Sequence, residues 1–224
     1  RRGREGAPDL TLVVAGEQTG GRGRRGRPWR SPPGNLYASL LLRPGCPAQR
    51  LPEIGFVAAV AAAEACDALL APARVELKWP NDLLVGGAKV GGILLETEGA
   101  ADAERVVALG IGINIACAPE GMPYPAACLS GITGAPVPLA GVRDGLARRF
   151  VAWYARWRDE GFAPVRAAWI AHAPAIGRPL AVRVEKAVLE GAFAGIDEAG
   201  ALILDLPAGD RRRVLAGDVL FAAA

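Results

Sequence analysis

Residues 20–29 read GGRGRRGRPW, and four glycines and four arginines in ten positions distinguish this segment from the rest of the chain. Glycine lets the backbone bring N–H groups close to a ligand, while arginine presents planar forks that fit phosphate or carboxylate oxygens. Trp29 adds a flat apolar surface. Like charges and a lack of buriable side chains predict a mobile segment that an anionic ligand orders. The residues alone leave two interpretations open: an anion site, or a solvated basic loop that contacts nucleic acid.

Composition limits the classes of protein to consider. At 224 residues the chain accommodates one main domain and a small appendage. No apolar run is long enough for a bilayer and no signal peptide pattern is present, so we expect a soluble, cytoplasmic protein without membrane contact. The four cysteines stand far apart, which disfavours a zinc site and a disulfide framework. A formal net charge of +3 is small, so any nucleic-acid binding would depend on a local patch.

Lysine is rare in this chain. It occurs only at positions 78, 89 and 186, whereas the other 23 of the 26 basic residues are arginine. A lysine kept in such a background suggests a chemical requirement for a compact point charge. Lys78 and Lys89 fall on one predicted hairpin, which draws attention to that hairpin as part of a site.

Apolar runs bounded by glycine or proline predict strands, and apolar residues at helical spacing predict helices. The predicted strands cover residues 10–15, 36–43, 75–79, 89–95 and 106–115. The predicted helices cover residues 54–70, 139–157 with an end near Gly161, and 164–170. Asn81 and Asp82 are expected in a turn, and residues 116–138 are expected to form a loop. His172, beside a proline boundary, is expected to be structural rather than the base of a Ser-His-Asp mechanism.

The pattern changes after Gly177. Short β-like runs cover residues 180–193, 202–206 and 213–220, with turns between them. This spacing predicts a small barrel that docks on the larger domain, because about fifty residues bury little core of their own. We therefore predict a catalytic domain over residues 1–174 and a barrel over residues 175–224.

Several short motifs occur in a characteristic order. They are GRGRRGR at 21–27 with Trp29, NLY at 35–37, KWPND at 78–82, KVGGIL at 89–94 and GIGIN at 110–114, followed by the predicted barrel. In this order the motifs resemble those of biotin protein ligases, and the resemblance covers nearly the whole chain. It implies an α+β catalytic domain, a mixed sheet with helices as in class II aminoacyl-tRNA synthetases and lipoate ligases. It also implies an SH3-like barrel at the C-terminal end.

The resemblance implies a two-step ligase that uses ATP, biotin and Mg²⁺. In the first step the biotin carboxylate attacks the α-phosphate of ATP, which gives biotinyl-5′-AMP and pyrophosphate. In the second step a lysine of a biotin carboxyl carrier domain, part of a biotin-dependent carboxylase, attacks the mixed anhydride and AMP leaves. An anionic nucleophile that attacks a polyanion needs cations and backbone donors aimed at the developing charge.

The resemblance also assigns roles to residues. Arg24 and Lys89 are the predicted catalytic residues, with Lys89 between the biotin carboxylate and the α-phosphate. The predicted biotin-binding residues are Gln18, Gly21, Arg22, Gly23, Arg24, Lys89 and Gly92. The predicted ATP-binding residues are Arg24, Trp29, Asn81, Asp82, Lys89 and Asn114. Magnesium is expected to bind through the phosphates, with Asp82 as the candidate side chain.

Two departures from the family pattern qualify these expectations. The family has a Ser-Thr-Asn segment that binds the ureido head of biotin, and nothing before Leu10 matches it, so we expect this chain to bind biotin weakly by itself. No helix-turn-helix domain is matched either, so no operator DNA binding is expected, and the protein is expected to be a monomer or a homodimer. The alternatives are a lipoate-type ligase, a nucleic-acid-binding module that uses the basic loop, and a non-catalytic carrier-binding protein.

Overall fold

A computed structural model describes residues 6–99 and 105–220 of the chain. Its larger part contains a six-stranded sheet in the order β1-β2-β6-β5-β4-β3. The strands are β1 (Thr11–Ala15), β2 (Leu36–Leu42), β3 (Glu76–Lys78), β4 (Asp82–Val85), β5 (Ala88–Glu98) and β6 (Val106–Ile113). The side chains of β2 and β6 that point to the helical layer, such as Leu36, Leu109 and Ile113, are fully buried.

Four helices accompany this sheet: α1 (Leu51–Leu70), α2 (Leu129–Thr133), α3 (Leu139–Glu160) and α4 (Ala163–His172). The alanine-rich α1 is buried along most of its length and packs against α3 and α4. A stripe at helical spacing forms the buried face of α3: Val142, Leu146, Phe150, Tyr154 and Trp157. Gly161 ends α3 at a positive φ of 80°, and its N–H donates to the Trp157 carbonyl.

The C-terminal part is a five-stranded antiparallel sheet in the order β10-β9-β8-β7-β11. Its strands are β7 (Pro179–Val184), β8 (Ala187–Ile196), β9 (Leu202–Asp205), β10 (Arg211–Val214) and β11 (Asp218–Val219). In a flat sheet of five strands the two edges would lie about 19 Å apart. Residues 215–217 join the edge strands β10 and β11 and reach about 14 Å at most. The sheet therefore curls toward closure, as the predicted barrel requires.

The C-terminal sheet docks on the KWPND segment of the larger part. Lys78 Nζ donates to the Val219 carbonyl at 2.8 Å, and Trp79 Nε1 donates to the Gly200 carbonyl at 3.0 Å. Gly200 has a positive φ, and a Cβ added there would lie 2.6 Å from the Phe56 ring. Only glycine therefore fits at this contact without a shift.

The α+β class is confirmed, and the following details differ from the sequence predictions. All ladders between named strands are antiparallel rather than mixed, because hairpins join β1 to β2 and β3 through β5 in series, and β6 returns beside them. Asp82 opens β4 instead of lying in a turn. Residues 116–138 contain the short helix α2, and a turn at 185–186 divides the predicted strand 180–193 into β7 and β8.

His172 is structural, as expected. Its Nε2 lies 3.2 Å from Asp67 Oδ2 and its Nδ1 lies 3.0 Å from the Ala168 carbonyl, so both ring nitrogens face groups of the helical layer. Within the described residues, none of the helices combines the length and the apolar character that a membrane crossing needs.

Candidate active site

A cleft of about 860 Å³ lies where residues 20–29, the six-stranded sheet and the C-terminal sheet meet. It gathers ten residues singled out in the sequence: Gln18, Gly21, Arg22, Gly23, Arg24, Trp29, Asn81, Asp82, Lys89 and Gly92. Asn114 lines an adjoining pocket that also contains Trp29 and Lys89. The structure thus brings together residues that are as far apart in sequence as 18 and 114.

The basic loop, residues 20–29, is folded on itself. The Trp29 N–H donates to the Gly21 carbonyl at 2.9 Å, and the Gly23 N–H donates to the Arg27 carbonyl at 2.6 Å. At the tip Arg25 and Gly26 have positive φ values of 56° and 72°. Glycine adopts this conformation readily and arginine does not, so the loop bends at some cost in backbone energy.

Three arginines of the basic loop converge on one carboxylate of the C-terminal sheet. Asp218 accepts from Arg24 Nη1 at 3.2 Å, from Arg25 Nη1 at 3.0 Å and from Arg27 Nη2 at 3.2 Å. Burial lowers the pKa of Arg24, and the Asp218 carboxylate acts in the opposite direction. Arg22 does not join this group, because it is largely exposed and pairs with Glu96 at 3.2 Å.

A second charged cluster surrounds Asp82. The strand register places Asp82 opposite Lys78 of β3 and opposite Gly92 of β5. The Lys78 ammonium lies 3.3 Å from Asp82 Oδ2, and the Lys89 ammonium lies 2.5 Å from Asp82 Oδ1. Lys89 reaches Asp82 across Gly92, where an added Cβ would lie 3.5 Å from Lys89 Cε. Burial lowers the pKa of Lys78, and Asp82 partly offsets this.

Lys89 also lies between two aromatic rings. Its ammonium is 5.4 Å from the ring centroids of both Trp29 and Tyr124, within cation–π range. The backbone of Lys89 pairs with residues 125–127, since its N–H donates to the Pro125 carbonyl and its carbonyl accepts from the Ala127 N–H. The segment that carries Tyr124 is thus fixed to the start of β5.

Glycines form the floor under Trp29. A Cβ added to Gly112 would lie 2.8 Å from the Trp29 indole, and one added to Gly92 would lie 3.3 Å from it. Gly112 of the GIGIN segment has no side chain to occupy this floor. In the structure a tryptophan ring packs there, with its buried Nε1 lacking a hydrogen-bond partner among the described residues.

The asparagines of the motifs hold backbone rather than extending freely into the cleft. Asn81 Nδ2 donates to the Ile93 carbonyl at 2.7 Å, and Asn114 Nδ2 donates to the Ala127 carbonyl at 3.1 Å. Asn35 Oδ1 accepts from three successive N–H groups, those of Ile115, Ala116 and Cys117. Direct contact of Asn81 and Asn114 with ATP stays a prediction, and their observed role is to position the chain around the cleft.

The acidic residues provide no protein-held metal cage in the described part of the chain. No group of three histidine, cysteine or acidic side chains is arranged to hold a metal ion there. Both oxygens of Asp82, the candidate side chain, face ammonium groups of Lys78 and Lys89. These residues do not fit a metal site of the kind that binds Mg²⁺ through protein oxygens alone.

Sequence reasoning missed several residues of the site. The predicted loop 116–138 supplies Met122 and Tyr124 to the cleft, and the C-terminal sheet supplies Arg183 and Asp218. A lone aromatic residue in a proline-rich loop was the available signal for Tyr124. No local pattern marks Asp218, because its partners lie more than 190 residues earlier in the chain.

The chain is similar to known proteins in both sequence and structure. The Biotin/lipoate A/B protein ligase family matches residues 3–114, and the Biotin protein ligase C terminal domain matches residues 175–221. A biotin–[acetyl-CoA-carboxylase] ligase of Paracoccus denitrificans is 45% identical, over 96% of this chain and 93% of the relative. The bifunctional ligase/repressor BirA of Bacillus subtilis is 37% identical over 92% of this chain. The match covers 65% of the length of BirA.

A solved structure shows the same fold. The biotin protein ligase of Aquifex aeolicus, in complex with biotin and ATP, superimposes with a TM-score of 0.82 and 27% identity. The match covers 96% of this chain and 89% of the Aquifex chain. With two family matches in chain order and a relative that is 45% identical over almost the full length, the chain belongs to the biotin protein ligase family.

Proposed function

We propose that this protein activates biotin with ATP to form biotinyl-5′-AMP and transfers the biotinyl group to a lysine of a biotin carboxyl carrier domain. The observation that carries the proposal is the charge of the cleft. Six cationic side chains and three carboxylates line it, which leaves a formal excess of three positive charges. The cations are Arg22, Arg24, Arg27, Lys78, Lys89 and Arg183, and the carboxylates are Asp82, Glu96 and Asp218. Such a cleft suits a nucleoside triphosphate and a carboxylate that must approach each other.

In the first step the cleft offsets repulsion between two anions. Lys89 carries a compact charge that Asp82 holds in place at 2.5 Å, and it lies beside the aromatic residues that would receive the base. A fixed ammonium stabilises the charge that develops on the α-phosphate as the biotin carboxylate attacks. Arg24 extends the same positive field from the basic loop. In the second step the same cations stabilise the phosphate of AMP as the amine displaces it.

The aromatic wall of the cleft suits a flat base. Trp29, Met122 and Tyr124 line the cleft on this side, and Gly92 and Gly112 lie behind the Trp29 ring. Aromatic rings and a methionine thioether provide stacking area for adenine. The Aquifex structure, a ligase of the same fold with biotin and ATP bound, supports ATP as the nucleotide.

The remaining parts of the proposal concern ions, partners and location. Magnesium would enter with the nucleotide and be held by phosphate oxygens. The name of the Paracoccus relative supports the carrier domain of a biotin-dependent carboxylase as the protein substrate. We also propose a cytoplasmic location, no operator DNA binding, and a monomeric or homodimeric state.

The test is a direct assay for biotinylation. The protein is mixed with ATP, Mg²⁺, biotin and a biotin carboxyl carrier domain, and mass spectrometry follows the carrier. We expect a mass increment of one biotinyl group on a single lysine. Absence of that increment would sink the assignment. Pyrophosphate release with biotin and with lipoate separates the two ligase types, and strongly salt-dependent affinity for any nucleic acid would favour the binding-module alternative.

The glycine floor predicts a selective effect of Gly112→Ala. The added methyl would lie 2.8 Å from the Trp29 indole, so the ring must move away from its place in the site. We expect the dissociation constant for ATP to increase by about tenfold or more, since stacking area is lost. Isothermal titration calorimetry measures this dissociation constant.

Gly110→Ala is the matched control for Gly112→Ala. It lies on the same strand, but its added Cβ would meet the nearest atoms at 3.6 Å, an ordinary contact. Equal effects of the two substitutions would contradict a specific role of the Trp29 packing. Thermal unfolding of both variants separates a local shift from a general loss of stability.

A further inference from the structure

We propose that Asp218, on the two-residue strand β11, is a positioning residue that holds the arginines of the basic loop ready for the phosphates of ATP. Asp218 does not act on substrate in this proposal. It orders Arg24, Arg25 and Arg27, which then present their free N–H groups to the ligand. The kinetic part of the inference rests on the proposed ligase function, whereas the ordering of the loop does not.

The contacts of Asp218 use one terminal nitrogen of each guanidinium. They are Nη1 of Arg24, Nη1 of Arg25 and Nη2 of Arg27. Among the described residues, no hydrogen bond to another protein group engages the opposite terminal nitrogen of any of the three arginines. A guanidinium has five N–H donors in a rigid plane, so fixing one edge leaves the other edge oriented and available.

Electrostatics explains why such a residue is needed. Three guanidinium groups each place a nitrogen about 3 Å from the Asp218 carboxylate, and they repel each other strongly. The glycine-rich backbone between the arginines does little to prevent the side chains from moving apart. Asp218 has a side chain that is only 22% exposed, so its attraction is screened less than that of a surface carboxylate. One carboxylate also neutralises only one of the three charges. The loop is thereby held in place while keeping a positive excess for a polyanion.

The position of Asp218 in the fold is itself fixed. Its backbone pairs with Arg183 of β7, and the next residue, Val219, accepts a hydrogen bond from Lys78. The Gly217 carbonyl, one residue earlier, accepts from Arg24 Nη1 at 3.2 Å. Three successive residues thus connect the C-terminal sheet to both charged clusters of the cleft.

A carboxylate in this place could instead act as a competitor that phosphate must displace. The two roles predict opposite results. Removing a competitor strengthens phosphate binding, whereas removing a positioning residue weakens it, because the arginines disperse. The use of a single nitrogen per arginine favours positioning, since the ligand need not break the contacts with Asp218 to bind.

Limited trypsin digestion tests the ordering of the loop without any substrate. Trypsin must take an arginine side chain into its own pocket, so arginines paired with Asp218 are protected. We expect Asp218→Asn to be cleaved after Arg24 and Arg25 about tenfold faster than the wild type, as mass spectrometry of early fragments shows. Asp205→Asn removes an arginine-paired carboxylate elsewhere in the same sheet and should leave this rate unchanged. A wild-type rate in Asp218→Asn overturns the proposal.

Calorimetry and steady-state kinetics test the consequence for phosphate. We expect Asp218→Asn to bind pyrophosphate about tenfold more weakly and to raise the KM for ATP by a similar factor, with a smaller change in kcat. Asp218→Glu keeps the charge and should recover most of the affinity. Tighter pyrophosphate binding by Asp218→Asn overturns the proposal in favour of competition.

Two further outcomes have definite meanings. If Asp218→Asn failed to fold, trypsin would cut throughout the chain rather than in the loop. Asp218→Glu would then serve as the test variant, and it must show both wild-type protection of the loop and wild-type affinity for pyrophosphate. Failure of either result overturns the proposal. If the wild type formed no adenylate, the ligase function would fail. A loop-specific rise in cleavage would still support the positioning role.

Discussion

Adenylate formation is expected to fall by about two to three orders of magnitude when Lys89 is replaced by alanine. Lys89 combines a short contact with Asp82, a place between Trp29 and Tyr124, and a backbone fixed to residues 125–127. These restraints hold the ammonium in place before the substrates arrive, which is the condition under which a charge stabilises a transition state strongly. Pyrophosphate release in single-turnover reactions with biotin and ATP measures the effect.

The scarcity of lysine provides a matched control. Lys186→Ala removes an exposed ammonium in the turn between β7 and β8, outside the cleft, and should leave the rate of pyrophosphate release unchanged. Lys89→Arg keeps a positive charge but replaces a compact ammonium with a broader plane, so we expect only partial activity. A Lys89→Ala variant with near wild-type adenylation would move the charge-stabilising role to another residue.

Asp82→Asn is expected to reduce the free energy of unfolding by about 3 kcal/mol. The side chains of Asp82, Lys78 and Lys89 are each only 10–13% exposed, so the carboxylate compensates two poorly hydrated cations. A neutral amide keeps the shape but leaves those cations facing each other without an anion between them. Chemical denaturation at neutral pH measures the loss.

The effect of Asp82→Asn should depend on pH in a defined direction. Burial already lowers the pKa of Lys78, and Asp82 counteracts this, so removal of the carboxylate lowers that pKa further. Between the pKa of the folded variant and the ordinary lysine pKa of about 10.4, the unfolded chain binds more protons than the folded chain. The free energy of unfolding therefore rises with pH in this window. The deficit of the variant should shrink as the pH is raised from neutral toward that value.

Asp144→Asn is the comparison for this measurement. It removes a carboxylate from an exposed arginine pair on α3, and such pairs contribute little to stability. Its unfolding should follow that of the wild type from neutral to alkaline pH, the range in which Lys78 is tested. An Asp82→Asn deficit that stayed constant with pH would show that Lys78 does not titrate in the way that its burial implies.

Much of the fold followed from local patterns. The apolar stripe of α3 and the glycine after it gave the helix and its end to within a few residues, because burial at helical spacing and a positive-φ stop are local signals. The short helix α2 was missed because its five residues include a glycine and a threonine and lie in a proline-rich stretch. The position of Asp82 in β4 was missed since the KWPND segment reads as turn chemistry when pairing partners are unknown.

The candidate site, like the fold, could be predicted from the sequence only in part. Motif order was enough to identify the family, and the structure collects the predicted residues around one cleft. Their individual roles stay predictions. The residues that complete the site from afar, Asp218 above all, could not be predicted, because an acidic residue in a short terminal strand becomes informative only when folding sets it against Arg24, Arg25 and Arg27. Charge complementarity between residues far apart in the chain produces no pattern in a short stretch of sequence.

The contacts of Lys78 and Trp79 with the C-terminal sheet bear on whether that sheet can be exchanged between related proteins. Both side chains donate to backbone carbonyls, those of Val219 and Gly200, and every residue type carries a carbonyl. At these two contacts the donors come from the KWPND side, while the C-terminal sheet contributes its backbone path, Gly200 and the side-chain contacts of Asp218 with the basic loop. Chimeras that combine this catalytic part with the terminal module of a related ligase should assemble wherever the module keeps that path and has a carboxylate in the place of Asp218, even where its other exposed side chains have diverged.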